Sequence, residues 1–139
     1  MTNELRKIIM DRLSTIKTAH GITEIGYRQV QDDSLYPHIV VDFTSVTPTD
    51  MGREDFLADV HIWTKDNYQA FEIQDAVRNL FKFWNAPAYI NNQTIYATFY
   101  EESSGQIDDP DKTVCHLVMR FQAQVFNKQD SNSTILWRD

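Results

Sequence analysis

One cysteine, four glycines and four prolines serve a chain of 139 residues, and each scarcity closes off a class of function. A lone cysteine cannot form an internal disulfide, which suits a reducing compartment such as the cytoplasm. The matches Asn92-Gln93-Thr94 and Asn132-Ser133-Thr134 are therefore read as chance and not as glycosylation sites. Gly21, Gly26, Gly52 and Gly105 are scattered, whereas a phosphate-binding loop needs clustered glycines whose N–H groups converge on the anion. No Gly-x-Ser-x-Gly elbow presents a serine nucleophile. No apolar run approaches the roughly 20 residues that span a bilayer, so no membrane partner is expected. Met1-Thr2-Asn3-Glu4 opens directly into an amphipathic pattern, without the apolar core of a secretion signal. Basic side chains are the minority, 13 against 20 acidic, for a net charge of −7. That balance argues against a free-standing nucleic-acid binder, which needs a basic patch to displace counterions from phosphate.

What is present is an ordinary globular composition, 42% hydrophobic and 24% charged. Its strongest pattern runs from Thr113 to Phe126. The odd positions Cys115, Leu117, Met119, Phe121, Ala123 and Val125 are apolar, and the even positions are mostly polar. Alternation with period 2 marks a strand buried on one face. Fourteen residues would reach roughly 48 Å if straight, against a width of roughly 35–40 Å for a globule of this length. Such a strand must bend sharply or leave its own domain to touch something else, and the second option points to a protein that assembles.

The remaining elements follow from periodicity. Leu5, Ile8, Ile9, Leu13 and Ile16 fall in one arc and predict a helix over Asn3–Thr18, with Gly21 as a left-handed stop. Ile25–Val30, His38–Thr44 and Glu54–Trp63 read as strands, with Asp32-Asp33-Ser34 a turn and Thr47–Gly52 a polar loop. Asp66, with Gln69 three residues on, has the spacing of a capping box. It opens a second helix whose buried face is Ile73, Ala76, Val77, Leu80, Phe81 and Trp84. Ala88–Ile90 and Thr94–Glu101 are strands about the turn Asn91-Asn92-Gln93, and Ser103–Asp111 is a loop. The expected fold class is α+β: a mostly antiparallel sheet with two helices packed on one face and one very long C-terminal strand. One domain is expected over residues 1–127, followed by a tail over 128–139.

Few residues offer chemistry. Cys115 and His116 are adjacent, but neighbours on a strand point to opposite faces, and Cys115 lies in the apolar register as a small buried hydrophobe. Asp108, Asp109 and Asp111 could offer oxygens to a hard cation, but their spacing matches no EF-hand loop. His38 and His61, with Asp42 and Asp59, are a candidate zinc or iron set if their strands are adjacent. Side chains of a half-exposed sheet explain them equally well. No catalytic, cofactor or metal residue is assigned. Phe71 stands alone among the polar residues of the second helix and is a candidate contact, as is Phe126 at the end of the long strand. Ile135, Leu136 and Trp137 follow a polar stretch at the extreme C-terminus. They dock on their own sheet or anchor on a neighbouring subunit, where tryptophan is a favoured hot spot.

Four segments together resemble the tail terminator (tail completion) proteins of long-tailed bacteriophages. They are the opening helix with Leu5, Ile8, Ile9 and Leu13; Tyr36-Pro37-His38-Ile39-Val40 entering a strand; Asp59-Val60-His61-Ile62-Trp63 running into a helix; and the late strand with Val118-Met119-Arg120-Phe121. The resemblance is one of segment order over nearly the whole chain. It implies a non-enzymatic virion protein without cofactors. Such a protein forms a hexameric ring on the tail tube, ends tube polymerisation and joins the head through a head completion or connector protein. It implies assembly in the host cytoplasm and residence in the neck of the tail. DNA would pass the bore without specific binding, since six copies at −7 each carry −42 formal charges. Another neck or head–tail connector protein is the alternative, and a small metal-dependent enzyme a more distant one.

Overall fold

The computed structural model describes residues 2–48, 53–82, 84–90 and 93–127. Along the chain lie α1 (Thr2–Ser14), β1 (Glu24–Tyr27), β2 (His38–Pro48), β3 (Arg53–Thr64), α2 (Asn67–Phe81), β4 (Asn85–Ile90), β5 (Gln93–Ile107) and β6 (Cys115–Asn127). The strands form one sheet in the order β1-β2-β3-β6-β5-β4. Every pairing is antiparallel except β1 with β2. The sheet is thus mostly antiparallel, as expected, with a single parallel pair at one edge among the described residues. The chain returns from Tyr27 to His38 through a ten-residue excursion, and β1 ends at Tyr27 instead of running to Val30. The excursion passes close over β1: a Cβ placed on Gly26 would lie 1.9 Å from the Gln29 carbonyl oxygen. Only glycine fits there.

Both helices cover the same face of the sheet. Leu5, Ile8, Ile9 and Leu13 of α1 and Ala70, Ile73, Val77 and Phe81 of α2 join one buried cluster with Val60, Ile62, Leu117, Met119 and Phe121 of the strands. Arg12 ties the helices together, its Nε donating to the Leu80 carbonyl at 3.0 Å while its guanidinium lies over the Trp84 ring. Gly21, at φ +62°, ends the turns that follow α1, and the helix itself stops at Ser14, short of Thr18. Asp66 caps α2 as expected, but its carboxylate accepts from the Tyr68 N–H, and Gln69 donates instead to the His20 carbonyl. The reciprocal capping box is replaced by a brace to the end of the α1 region.

β6 is not spare backbone. It pairs along its length with β3 on one side and β5 on the other, so neither of its edges is left for another chain. Its thirteen residues at about 3.4 Å reach roughly 44 Å, and its partners β3 and β5 have 12 and 15 residues. β2 carries a register shift between Phe43 and Ser45, and β5 carries one between Glu101 and Ser103. The two shifts fall on a single row, because Phe43 pairs with Ala58, Ala58 with Phe121 and Phe121 with Glu101. Bulges raise local twist and bend the strand that holds them, and here the two lie on one row of the sheet. Of the two options the strand length allowed, β6 does not leave its own sheet: it is paired within it on both sides.

β5 extends to Ile107, so Ser103–Ile107 is strand and not the start of a loop. β2 likewise runs on to Pro48, and residues 49–52 of the expected loop lie outside the described residues. β4 begins at Asn85, three residues before the expected start.

Candidate functional site: the open face and the edges of the sheet

The face opposite the helices carries the even-numbered side chains of β6 and their partners. At one end a ring cluster covers it. Trp63 stacks on His116 with centroids 4.0 Å apart, on His38 at 5.1 Å and on His61 at 5.4 Å, and Tyr36 lies 5.2 Å from His38. His61 Nδ1 lies 2.8 Å from His116 Nε2, and His38 Nδ1 lies 2.8 Å from the Leu35 carbonyl oxygen. Burial pushes the His116 pKa down to about 4, helped by the neighbouring His61 and His38 and opposed by Asp109. Burial also lowers His61, against the pull of Asp59 and Asp42. Both rings are therefore neutral near pH 7, one donating to the other.

One row further along, Arg120 clamps Asp59 with two hydrogen bonds, of 2.8 and 3.1 Å, between directly paired residues of β6 and β3. Asp59 is buried, and the fork geometry matches its two oxygens. A cavity of about 410 Å³ sits over this end, lined by Arg28, Gln29, Tyr36, His38, Val40 and Trp63 among others.

The candidate zinc set does not come together. His38 is level with Trp63 and His61 with Val40, and the ring nitrogens are engaged as described. Asp59 is held by Arg120, and Asp42 lies 3.8 Å from Arg28. In the acidic cluster, Asp109 accepts from the Asp111 N–H and Asp111 from both the N–H and hydroxyl of Thr113. These bonds lower the Asp111 pKa, with Lys65 at 3.5 Å adding to the effect. Among the described residues no group of three or more His, Cys, Asp or Glu side chains could hold a metal ion. Cys115 is buried on the helix side, opposite His116, and burial raises its thiol pKa.

The contact candidates fall in separate places. Phe71 projects from α2 and is half exposed. Phe126 is level with Arg53 of β3 and Tyr96 of β5, at the far end of the open face from the histidines. Ile135, Leu136 and Trp137 lie outside the described residues. Sequence reasoning missed His116 as a partner of His61, although both sit on the polar parity of their strands. It also missed the second cavity, of about 460 Å³, floored by Phe81, Phe99 and Phe121 and rimmed by Arg78, Lys82, Tyr100 and Glu101. There Arg78 makes a two-pronged ion pair with Glu101, at 2.6 and 2.9 Å, joining α2 to β5.

No protein-family model and no curated protein matches this chain. Among solved structures, it is similar to a chain from the virion of a native gene transfer agent particle. The TM-score is 0.62 at 12% identity, over 85% of this chain and 91% of that one. The two chains share a fold.

Proposed function

We propose that this chain is a structural protein of a tailed, phage-like virion, and within it the tail terminator. Copies form a ring, six by the family resemblance, that caps the tail tube, ends its polymerisation and offers the head side a surface for a connector. The role is architectural, without catalysis or cofactor, and its place is the neck of the tail. The observation that carries this reading is the fold shared with a chain of the gene transfer agent virion over most of both lengths. The acidic balance of −7 per copy supports it, because a negatively charged ring repels passing DNA and does not retain it.

Light scattering and particle images of the purified protein, alone and mixed with growing tail tubes, test the reading. A ring species that halts tube growth is the expected result. A ring that leaves tube length unchanged favours another neck connector, and a strict monomer in both settings overturns the ring.

A further inference from the structure

The outline of the sheet is not rectangular. β1 covers only His38–Val41 of β2, leaving the other side of Asp42–Pro48 without a strand partner among the described residues. β4 covers only Gln93–Thr98 of β5, leaving Phe99–Ile107 in the same condition. The two gaps lie at diagonally opposite corners. His38, Trp63, His116 and Ile107 share one end row, and Pro48, Glu54, Val125 and Ala97 share a row near the other. Each side of the sheet therefore has one projecting strand and one gap, at opposite heights on the two sides.

Resting on the ring reading above, we infer that the sheet runs on from copy to copy, β1 of one copy pairing antiparallel with the open stretch Phe99–Ile107 of β5 in the next. The same sideways step carries β4 toward the open stretch of β2, with the two strands parallel. The chain directions follow from the pairings: β1 runs with β2, and β5 runs opposite to it. At equal height Asn85 is level with Thr47, and Tyr27 with Ser104. A stagger of about four residues between copies seats both projecting strands, and a stagger in one sense is what a sheet needs to close on itself.

Two further observations mark the gaps as contact surface. Of the six exposed large hydrophobic side chains among the described residues, Val46, Tyr100 and Ile107 lie on these two stretches, exposed by 42, 52 and 41%. Long unprotected edges of this kind invite pairing with another chain. The 460 Å³ cavity also borders the open part of β5 on the helix side, through Phe99, Tyr100 and Glu101. An arriving β1 brings α1 on that same face. The contact is head-to-tail, joining different surfaces of the two copies, and such contacts form rings when the rotation closes.

Amide hydrogen exchange of the full chain, below and above the concentration at which light scattering detects assembly, tests the pairing. Peptides holding Glu24–Tyr27, Asp42–Thr47 and Phe99–Ile107 should slow by about tenfold or more in the assembled species. An assembled species in which they exchange as fast as in the monomer overturns edge pairing and leaves the ring standing. A monomer at every concentration, with and without tail tubes, overturns both. Tyr100→Lys provides the second arm. It should keep the parent urea midpoint and lose assembly; a variant that assembles like the parent overturns the pairing.

Discussion

His61 and His116 meet across β3 and β6 with Nδ1 2.8 Å from Nε2, a separation that admits one proton between the rings and not two. Trp63 stacks on both rings, and His116 is the more buried of the two histidines. His116 titrates at about 4 in the fold against an ordinary 6.5, so the unfolded chain takes up its proton first as pH falls. Its contribution is intact above about pH 6.5, is lost between there and about pH 4, and changes no further below. The displacement corresponds to ~3 kcal/mol. Urea midpoints measured from about pH 7 to about pH 4 should fall in the parent and fall less steeply in His116→Gln. Parallel slopes would show that the imidazole is not buried as described.

Gly26 gives a sharper steric prediction. The Gln29 carbonyl occupies the space of a side chain there, so Gly26→Ala should cost about 2 kcal/mol or more in urea unfolding. Gly105→Ala is the matched control. No atom lies within 4 Å of its added Cβ, and the change should fall within about 0.5 kcal/mol of the parent. Equal losses at both sites would contradict the path of the 28–37 excursion.

The Arg78–Glu101 pair fastens α2 to β5. The hydrogen bonds from Arg78 hold the Glu101 carboxyl below its ordinary range. A double-mutant cycle with Arg78→Met and Glu101→Gln should return a coupling of about 1 kcal/mol, reduced by salt because the guanidinium is partly exposed. A coupling near zero would mean that solvent screens the fork completely.

The tail offers a test of the ring itself. Removing residues 128–139 should weaken subunit association and leave the circular dichroism and urea midpoint of the sheet unchanged. Unchanged assembly would remove Ile135, Leu136 and Trp137 from the interface.

Much of the architecture was legible in residue periodicity, because burial on one face leaves a plain trace. The buried face of α2 was read from Ile73, Val77 and Phe81, and the helix-facing side of β6 from Leu117 to Val125. Strand neighbours were not legible, since period 2 assigns a face and says nothing of which strand lies alongside. His38, His61 and His116 therefore came together only through the order β2-β3-β6. Ser103–Ile107 gave no periodic signal because the stretch is exposed on both faces, although it pairs with β6 along one edge. The parallel β1–β2 pair was hidden by an irregular return whose path depends on the contact between Gly26 and Gln29.

The two register shifts have a consequence for phase. Thr44 and Glu102 are the supernumerary residues, the ones without a counterpart on the neighbouring strand. Before them odd numbers point toward the helices; beyond them even numbers do, as with Val46 opposite Phe56 and Ser104 opposite Met119. Deleting either residue would take out the bulge and leave Val46 opposite Phe56 and Ser104 opposite Met119 on the helix side, whereas a one-residue slip anywhere else on these strands exchanges the two faces.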